Sequence, residues 1–533
     1  MELKGVEKCC CVVKLSKAFS AKKASSCSGV IVHPQTGTII CAGLPFSRFI
    51  TDREPRCSDN GFLSPRSFSD KLKIRVSFSP QSDLEICQNA QGELFTRNRT
   101  KTTRQLEVAA ELLMLVDCVE FKETFQEVFR EADQWRFHGD EEDKELIRDA
   151  QFLSWFAVLK ATPAADSCSD SGTIPWQSGS SLQKGSPVVA CGSPFGSLCL
   201  DLFYSTLSRG IISNLAGEDN AVILTDARCL PGTEGGGLFE VKGADDLRLI
   251  GLIVSPFGWK ANEWIGLTLV CSIHSIFRSV MCCTSAQDPS RDVWLHPGET
   301  GLRMSTTAHE STAVKYPTVC YVDSGHFWGS GVVVTSQLVV TCRHVVYRKS
   351  RVTLKFYHRD RVRNVVGDVL FSTKASSPYD LALVQLRDSI PDAVVPRMSQ
   401  SFSLGDPVVV VGYGGLGWSC GPSLTCGVVS KAISLNNQPV MLQTTCAVQA
   451  GASGGAVVQK HSGELLGIVS SNTRDLATKV TYPHLNFSIP VTVFQGLLQR
   501  FEQTRDVNIF QVLDSAEKEV RQVWRLQGAQ SKL

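Results

Sequence analysis

The stretch Gly405-Asp-Pro-Val-Val-Val-Val-Gly412 is one of many short valine-rich runs bounded by turn residues. Apolar runs of this length between glycines and prolines are typical of β-strands in barrels and sandwiches. An upstream stretch, Gly185-Ser-Pro-Val-Val-Ala-Cys-Gly192, repeats the pattern 220 residues earlier, counted from 412 back to 192. The sequence therefore predicts an all-β fold with an internal repeat.

Further blocks on both sides of these stretches keep the same order in the two parts of the chain. Gly451-Ala-Ser-Gly-Gly455 corresponds to Gly232-Thr-Glu-Gly-Gly236, and Glu464-Leu-Leu-Gly-Ile-Val-Ser470 corresponds to Arg248-Leu-Ile-Gly-Leu-Ile-Val-Ser255. Matching order at a nearly constant offset indicates two copies of one domain. Extra residues are expected in the first copy between about 50 and 150, where periodic phenylalanines from Phe121 indicate a helix.

The repeat predicts the division of the chain. The first copy is expected over 1–283, a polar, turn-rich linker over 284–316, and the second copy over 317–500. A short helical tail is expected over 501–533.

Composition excludes several classes of protein. The 533 residues carry 54 Lys+Arg against 52 Asp+Glu, a formal charge of +2, and 43% of them are hydrophobic. A near-neutral chain argues against a nucleic-acid binder that relies on a broad basic field. No apolar run approaches the ~20 residues that span a bilayer. The acidic, cysteine-rich start does not resemble a secretory signal, so the 20 cysteines are expected to be reduced thiols in an intracellular, soluble protein.

Three segments of the second copy carry candidate catalytic side chains. His344 follows an apolar run, Asp380 precedes another, and Ser453 lies in a glycine-rich turn. A serine hydroxyl becomes a good nucleophile only when a base removes its proton, a role that His344 can fill. Asp380 would fix the tautomer of the imidazole and stabilise its charged form. The amides of Gly451 and Ser453 would form the oxyanion hole.

The segments around His344, Asp380-Leu-Ala-Leu and Gly451-Ala-Ser-Gly-Gly455 resemble those of the trypsin-like serine protease superfamily, and the spacing resembles its HtrA/Deg branch. The resemblance is strong over about 320–500 and weaker over about 25–283. It implies two β-barrels in each protease domain with the catalytic triad between them. The fold class expected is thus a tandem of trypsin-like double β-barrel domains, the first degenerate with a partly helical insertion, followed by a short carboxy-terminal helix.

The carboxy-terminal Ser531-Lys532-Leu533 matches a peroxisomal address that an import receptor binds. With this motif and the two tandem copies, the chain resembles one group within the trypsin-like superfamily, the proteases that process peroxisomal proteins. That resemblance implies removal of amino-terminal targeting presequences and internal processing of β-oxidation enzymes. A family preference for cleavage after cysteine would make Cys118 a candidate site of self-processing.

The first copy has lost the catalytic side chains. Its alignment with the second copy puts Leu44 at the position of His344, a residue near Ser154 at that of Asp380, and Glu234 at that of the nucleophile. We therefore expect a catalytically silent domain, useful for assembly, substrate gating or regulation.

The expected substrate pocket contains no carboxylate. The resemblance implies a pocket floor about six residues before the nucleophile, at Ala447, with Ser470 and Ser471 beside it. An unpaired substrate cation would be costly to bury there, so a small or apolar side chain such as cysteine is expected. Ser470 is also expected, by analogy, to contact Asp380.

Alternatives from other classes remain open. One is a silent scaffold built from protease-like domains, and another is an HtrA-like quality-control protease, although only some 33 residues follow position 500. No cofactor, metal, nucleic acid or membrane span is expected. Precursor proteins are the expected substrates, and a homo-oligomer is possible.

Overall fold

Closed β-barrels dominate the structure, and the all-β fold class predicted from the sequence is confirmed. The computed structural model describes residues 3–17, 20–51, 61–78, 84–88, 94–98, 106–130, 133–137, 152–161, 174–195, 203–243, 246–256, 258–260, 263–285, 316–358, 361–475, 480–515 and 517–525. Among these residues, no helix has the length and apolar character needed to cross a bilayer. Ser531, Lys532 and Leu533 lie outside the described residues.

The first barrel is a sheet that closes on itself. Its last strand, Trp155–Ala161, pairs with both Thr38–Ala42 and Leu106–Asp117. Its strands are Cys10–Lys17, Ser20–His33, Thr38–Ala42, Phe62–Leu63, Leu72–Phe78, Leu106–Asp117 and Trp155–Ala161. Leu72–Phe78 and Leu106–Asp117 fall in the range predicted as an insertion. That range therefore supplies barrel strands as well as the helix Val119–Val128.

The second barrel completes the first half of the chain. Its strands are Pro187–Gly192, Thr206–Ala216, Val222–Thr225, Gly237–Val241, Leu247–Ser255 and Thr268–Ser272. The helix Ile273–Ser285 follows directly.

The third and fourth barrels repeat this arrangement in the second half. The third contains Val319–Asp323, Trp328–Thr335, Leu338–Thr341, Arg351–His358, Arg361–Ser372 and Ala382–Leu386; the fourth contains Pro407–Gly412, Ser423–Leu435, Gln438–Thr444, Ala456–Gln459, Leu465–Asp475 and Val480–Pro490. Both are closed and antiparallel. Alternate side chains of each strand fill the interior of the third barrel, as the two-residue period of a strand requires. Val333 of one strand and Val384 of another are examples.

Smaller elements lie outside the barrels. Leu84–Gln88 pairs with Leu94–Asn98, and Trp135–Arg136, Trp259–Lys260 and Glu263–Trp264 form a small sheet. The described residues also form the α-helices Leu3–Cys9, Gln495–Thr504 and Lys518–Arg525 and the 3-10 helices Leu44–Phe49, Pro65–Ser67, Gly179–Ser181, Glu218–Asn220, Val491–Val493 and Val507–Ser515.

The carboxy-terminal helices pack on the second half instead of forming a solvated tail. Phe501, Phe510, Val520 and Trp524 are buried in its core. Val520 and Trp524 dock the last helix, because two apolar residues at helical spacing suffice to hold a short helix on a core.

The cysteines whose side chains the structure describes are free thiols, and all of these but Cys282 and Cys426 are buried. Cys118 is fully buried, and its amide donates to the carbonyl of Ser154 at 2.9 Å. A protease binds its substrate as an extended strand. Cleavage after Cys118 therefore requires this segment to leave the core first.

Candidate active site

His344 and Asp380 meet at the edge of the third barrel. Strand Leu338–Thr341 ends three residues before His344, and Ala382–Leu386 begins just after Asp380. These strands are neighbours, with Thr341 opposite Ala382, so their ends bring the two side chains together. His344 Nδ1 lies 2.5 Å from Asp380 Oδ2, and the His344 amide donates to Oδ1 at 3.1 Å. The carboxylate is only 1% exposed.

Arg343 ties the two loops together. Its guanidinium donates to the carbonyl of Lys374 at 2.6 Å, and its Nε lies 3.5 Å from Asp380 Oδ1. A buried carboxylate has lost its hydration and needs hydrogen bonds and a nearby positive charge in exchange. Asp380 thereby accepts hydrogen bonds from the histidine while a cation lies beside it.

Ser453 reaches the same place from the fourth barrel, just before strand Ala456–Gln459. Its hydroxyl donates to the carbonyl of Ser470 at 3.2 Å. The neighbouring carbonyl of Val469 accepts from the Gly454 amide at 2.8 Å and from the thiol of Cys342, two residues before His344, at 3.2 Å. The histidine and serine segments therefore converge on Val469 and Ser470.

The turn around Ser453 has a hydrogen-bond pattern that leaves two amides available. The amides of Ala452, Gly454 and Gly455 donate to main-chain carbonyls at 2.8–3.0 Å, whereas the hydrogen bonds of the described residues give no main-chain partner to those of Gly451 and Ser453. Gly454 has φ +86°, and a Cβ there would lie 2.0 Å from the carbonyl oxygen of Ser330, so only glycine fits.

The first half contains the same turn in nearly the same geometry. The Ser28 amide donates to the carbonyl of Glu234 at 2.9 Å, as the Ser330 amide donates to that of Ser453 at 2.8 Å. The Ser28 hydroxyl donates to the Gly232 carbonyl at 2.8 Å, as the Ser330 hydroxyl donates to that of Gly451 at 2.8 Å. The repeat found in the sequence is therefore also a repeat of hydrogen bonds.

In the first half a carboxylate fills this turn. Glu234 Oε2 accepts from the Gly232 amide at 2.6 Å, and Gly232 corresponds to Gly451. Burial raises the pKa of Glu234, while hydrogen bonds from its own amide and that of Gly232 oppose the rise. The first half thus places an acceptor oxygen of its own where the second half has an open pair of amides.

The other degenerate positions lie around the same cavity. Leu44, Trp155 and Glu234 line it together, with Arg48 at its side. Cys41 lies opposite Ala157 in the ladder, as Thr341 lies opposite Ala382, so strand register places Trp155 at the position of Asp380. Ser154, predicted near this position, is one residue earlier and donates its hydroxyl to Asp117. The sequence alone could not distinguish Ser154 from Trp155 as the counterpart of Asp380, because the extra residues between about 50 and 150 leave the alignment of the two copies uncertain there.

The predicted pocket residues lie in strand Leu465–Asp475 of the fourth barrel and in the segment that follows strand Gln438–Thr444. Ala447 is buried, and its carbonyl accepts from the Thr425 hydroxyl at 2.8 Å. Ser471 pairs with Phe487 in the fourth barrel, and pairing with the strand Ala456–Gln459 ends at Ile468. The expected contact between Ser470 and Asp380 is not present: the Ser470 hydroxyl has no hydrogen-bond partner among the described residues, and Ser470 uses its carbonyl to hold Ser453.

One group among the described residues has the donor set of a metal site, and it coincides with the candidate catalytic pair. Ligand atoms of Cys342, His344 and Asp380 lie within 4.8 Å of one another. The Arg343 guanidinium at 3.5 Å from Asp380 opposes a second cation there. The direct contact between His344 and Asp380 accounts for the cluster without an ion.

Sequence reasoning missed the polar side chains that support the site. The amide nitrogen of Asn486 donates to the carbonyls of Thr444 and Cys446 at 3.1 and 2.9 Å. Gln449 is buried beside the serine turn and donates to a carbonyl of the first half. Their only signal is an amide side chain in an apolar stretch, which is too common to single out a residue.

Comparisons with known proteins show which sequences and structures this chain is similar to. The model of the trypsin-like peptidase domain matches residues 329–468. The peroxisomal leader peptide-processing proteases of Homo sapiens and Mus musculus are 38% and 39% identical to this chain, over 98% and 97% of it and 97% and 95% of their own lengths. A solved structure, the HtrA-type protease AlgW with a tripeptide, is similar over 36% of this chain and 62% of its own, with 19% identity and a TM-score of 0.30.

Paired β-barrels with a histidine, an aspartate and a serine turn between them define a trypsin-like serine endopeptidase. Similarity to two relatives over nearly the full length of the chain then identifies the family within this class. The chain belongs to the family of peroxisomal leader peptide-processing proteases.

Proposed function

We propose that this chain removes amino-terminal leader peptides from precursor proteins in the peroxisome and processes matrix proteins there, including enzymes of β-oxidation. The observation that carries the proposal is the contact between His344 and Asp380 beside the serine turn of the second half. The printed names of the full-length relatives supply the leader peptide and the compartment. A silent first half is supported by Leu44, Trp155 and Glu234, which line its cavity at the positions that correspond to His344, Asp380 and Ser453.

In the proposed mechanism Ser453 attacks the scissile carbonyl while His344 takes its proton. Asp380 holds the imidazole through Nδ1 and stabilises the imidazolium. The amides of Gly451 and Ser453 would bind the oxyanion, an effect worth about 3–4 kcal/mol per donor. The carboxylate oxygen of Glu234 on the corresponding Gly232 amide supports this role, since the same turn holds an anion-type acceptor in the first half.

A fluorophosphonate probe tests the nucleophile. We expect labelling of the intact protein and complete loss of labelling in Ser453→Ala, with no residual signal from the first half. Persistence of the label in Ser453→Ala would contradict the assignment. Failure to label the wild-type protein would favour a silent scaffold.

Incubation with a peroxisomal precursor that carries a cleavable presequence tests the substrate. Mass spectrometry of the products should place the cut after a small or apolar residue, since Ala447 offers no carboxylate to a substrate cation. Predominant cleavage after Arg or Lys would overturn this pocket assignment. The same experiment with wild-type and Ser453→Ala protein alone would reveal self-cleavage, including at Cys118.

Two further parts of the proposal concern location and partners. An import receptor would bind Ser531-Lys532-Leu533. Removal of these three residues should leave proteolysis in vitro unchanged and abolish peroxisomal import of a fluorescent fusion. Import that survives the removal would contradict the role of this motif.

A further inference from the structure

The first half touches the serine turn of the second half through one small element. We define the bracing strands as Trp259–Lys260 and Glu263–Trp264, together with Ile265, which follows them. They pair with each other and with Trp135–Arg136, outside both barrels of the first half. Their contacts with the second half fall around Gln449, the residue two positions before Gly451.

Gln449 connects the bracing strands to the serine turn. Its side-chain nitrogen donates to the Ile265 carbonyl at 2.6 Å, and its side-chain oxygen accepts from the Gly415 amide at 3.3 Å. Its own carbonyl accepts from the Ala452 amide at 3.0 Å. A buried amide with both ends bonded has little freedom to move. The turn that carries Gly451 is therefore anchored on a carbonyl of the first half.

Lys260 provides a second anchor for the same turn. Its ammonium donates to the Gly415 carbonyl at 2.5 Å and lies over the rings of Trp135 and Trp328 at 5.3 and 5.9 Å. Burial lowers the pKa of Lys260, and the two ring faces and the carbonyl partly replace its lost hydration. Lys260 thus fixes Gly415, which in turn donates to Gln449.

Trp328 carries this contact directly to the oxyanion hole. A Cβ on Gly451 would lie 1.9 Å from the Trp328 ring, so the ring covers the glycine closely. Gly451 has φ +91°, a conformation that other residues rarely adopt. Movement of the Trp328 ring would release the peptide that carries one of the two oxyanion donors.

The bracing strands also contact the segment 483–484, which we call the pocket wall because Pro483 bonds Val448, next to the predicted pocket residue Ala447. The rings of Trp264 and His484 lie 5.9 Å apart, edge to face. The carbonyl of Pro483 accepts from the Val448 amide at 2.9 Å, next to Gln449. The pocket wall and the oxyanion turn thus rest on the same element of the first half.

The serine-turn counterpart in the first half lacks this support. Leu230 corresponds to Gln449 at the offset of 219 that relates Gly232 to Gly451, and it is 45% exposed. We call the contacts of Gln449 and Lys260 that hold the serine turn the brace. The brace is therefore found on the turn of Ser453 and not on the corresponding turn of the first half.

We propose that the silent first half is a positioning element of the active site, which acts through Gln449 and Lys260 to hold the Gly451 and Ser453 amides toward one point. This inference rests on the proposed proteolytic function. Oxyanion donors accelerate a reaction only when they are fixed before the charge develops. Gln449 and Lys260 are positioning residues, since they act through Gly415, Trp328 and the turn.

Two substitutions remove the brace with little change in volume. Gln449→Leu deletes both side-chain hydrogen bonds, and Lys260→Met deletes the ammonium but keeps an apolar stem. Asn214→Ala is the matched control, because Asn214 also bonds across the two halves, to the Ser423 hydroxyl at 2.8 Å, but takes no part in the hydrogen bonds of Gln449 or Lys260. The assay combines kcat and KM on a peptide substrate with the inhibition constant of a peptidyl trifluoromethyl ketone, whose adduct carries an oxyanion.

We expect Gln449→Leu and Lys260→Met to lower kcat by about ten- to hundredfold, part of the roughly 10²–10³-fold loss that removal of an oxyanion donor causes. The inhibition constant of the ketone should rise by a similar factor while KM changes by less than about twofold. Lys260→Arg, which keeps the cation, should recover part of the loss. Asn214→Ala should match the wild type in all three constants.

Equal kcat in the brace variants and in Asn214→Ala would overturn the inference, as would a rise in KM alone. If Gln449→Leu does not fold, Gln449→Glu serves instead, because it keeps an acceptor for Gly415 but cannot donate to Ile265 when ionised. Its kcat should fall in the same way, and an unchanged value would also overturn the inference. A wild-type protein that a fluorophosphonate does not label would refute the proposed function itself, whereas labelled wild type with unaffected variants refutes only the brace.

Discussion

At the scale of single residues, Glu234 and Ser453 show how one side chain changes the use of a conserved turn geometry. Each lies two residues after a glycine, and the carbonyl of that glycine accepts a hydrogen bond from the hydroxyl of a buried serine. The longer side chain of Glu234 bends back and accepts from the Gly232 amide. In the proposed mechanism, a turn whose amide already donates to a carboxylate cannot also bind the carbonyl of a substrate, so Glu234 would block the first half as well as replace its nucleophile.

Glu234→Gln tests the cost of burying this carboxyl group. The pKa of Glu234 is raised in the folded state by burial, so at neutral pH ionisation opposes folding. We expect the substitution to raise the melting temperature at pH 7, at about 2–4 °C for each kcal/mol gained. The gain should fade as the pH falls through the folded pKa to below about 4.3, the unfolded value.

Thermal unfolding of both proteins between pH 4 and 8 measures this difference. Glu218→Gln is the control, because Glu218 is exposed in the same half. A difference between Glu234→Gln and the wild type that stays constant over this range, or that grows toward acid, would contradict the account.

Asp380→Asn tests the role of the buried carboxylate. An amide in place of Asp380 can donate to His344 Nδ1, which stabilises the wrong tautomer for a base that must accept a proton at Nε2. We expect kcat to fall by about 10³–10⁴-fold with KM little changed. Asp368→Asn, on the surface of the same barrel, should keep normal activity. Loss of less than tenfold in Asp380→Asn would show that the histidine does not depend on this partner.

At the scale of elements, the carboxy-terminal helix supports the segment that carries Asp380. The Trp524 indole donates to the Val440 carbonyl at 3.1 Å and lies edge-on to the Tyr379 ring, with centroids 6.0 Å apart. The Ser377 hydroxyl donates to the Leu513 carbonyl at 2.8 Å. Two parts of the tail thus hold the loop that precedes Asp380.

Trp524→Ala should remove much of this support. Truncation of a buried tryptophan costs about 3–5 kcal/mol, because packing is lost and a cavity remains. We expect a fall of that size in the free energy of unfolding in denaturant, together with lower kcat. Val512→Ala, at an exposed position of the same tail, should change stability by less than about 0.5 kcal/mol. Equal effects of the two substitutions would mean that the helix does not dock.

The sequence predicted some elements well and others poorly, for a physical reason. Pro407–Gly412 is a strand inside the predicted run 405–412, because turn residues and a run of valines mark its bounds. Leu72–Phe78 and Leu106–Asp117 were assigned to an insertion although they complete the first barrel. A barrel interior asks only for apolar side chains at alternate positions, as at Ile74 and Val76, so such strands diverge until no match to their counterparts remains.

At the scale of the whole molecule, the chemical groups of the site could be predicted and their supports could not. A histidine, an aspartate and a serine in a glycine turn are chemically irreplaceable, so His344, Asp380 and Ser453 stand out in the sequence. The brace joins Gln449 to the carbonyl of Ile265, 184 residues away. Any residue has a carbonyl, so no side-chain pattern at position 265 announces this contact.

The two halves also share a buried carboxylate, which makes their association testable. Asp226 accepts from the Ile211 amide at 2.7 Å within the first half and from the Cys426 amide at 2.5 Å in the second. Removal of the acceptor leaves two buried amides without partners, at about 1–3 kcal/mol each. We expect Asp226→Ala to lower the free energy of unfolding by about 2–6 kcal/mol, an estimate that adds the two losses.

Denaturant unfolding followed by tryptophan fluorescence measures the loss, and proteolytic activity at intermediate denaturant shows whether the second half fails with the first. Because the brace and Asp226 both cross between the halves, activity should disappear in the same transition as the fluorescence change of the wild type. Asp246→Ala is the control, since the side chain of Asp246 is 45% exposed and bonds Arg248 within its own half. Full activity of Asp226→Ala beyond the unfolding of its first half would show that the catalytic half works alone, against the dependence inferred from Gln449 and Lys260.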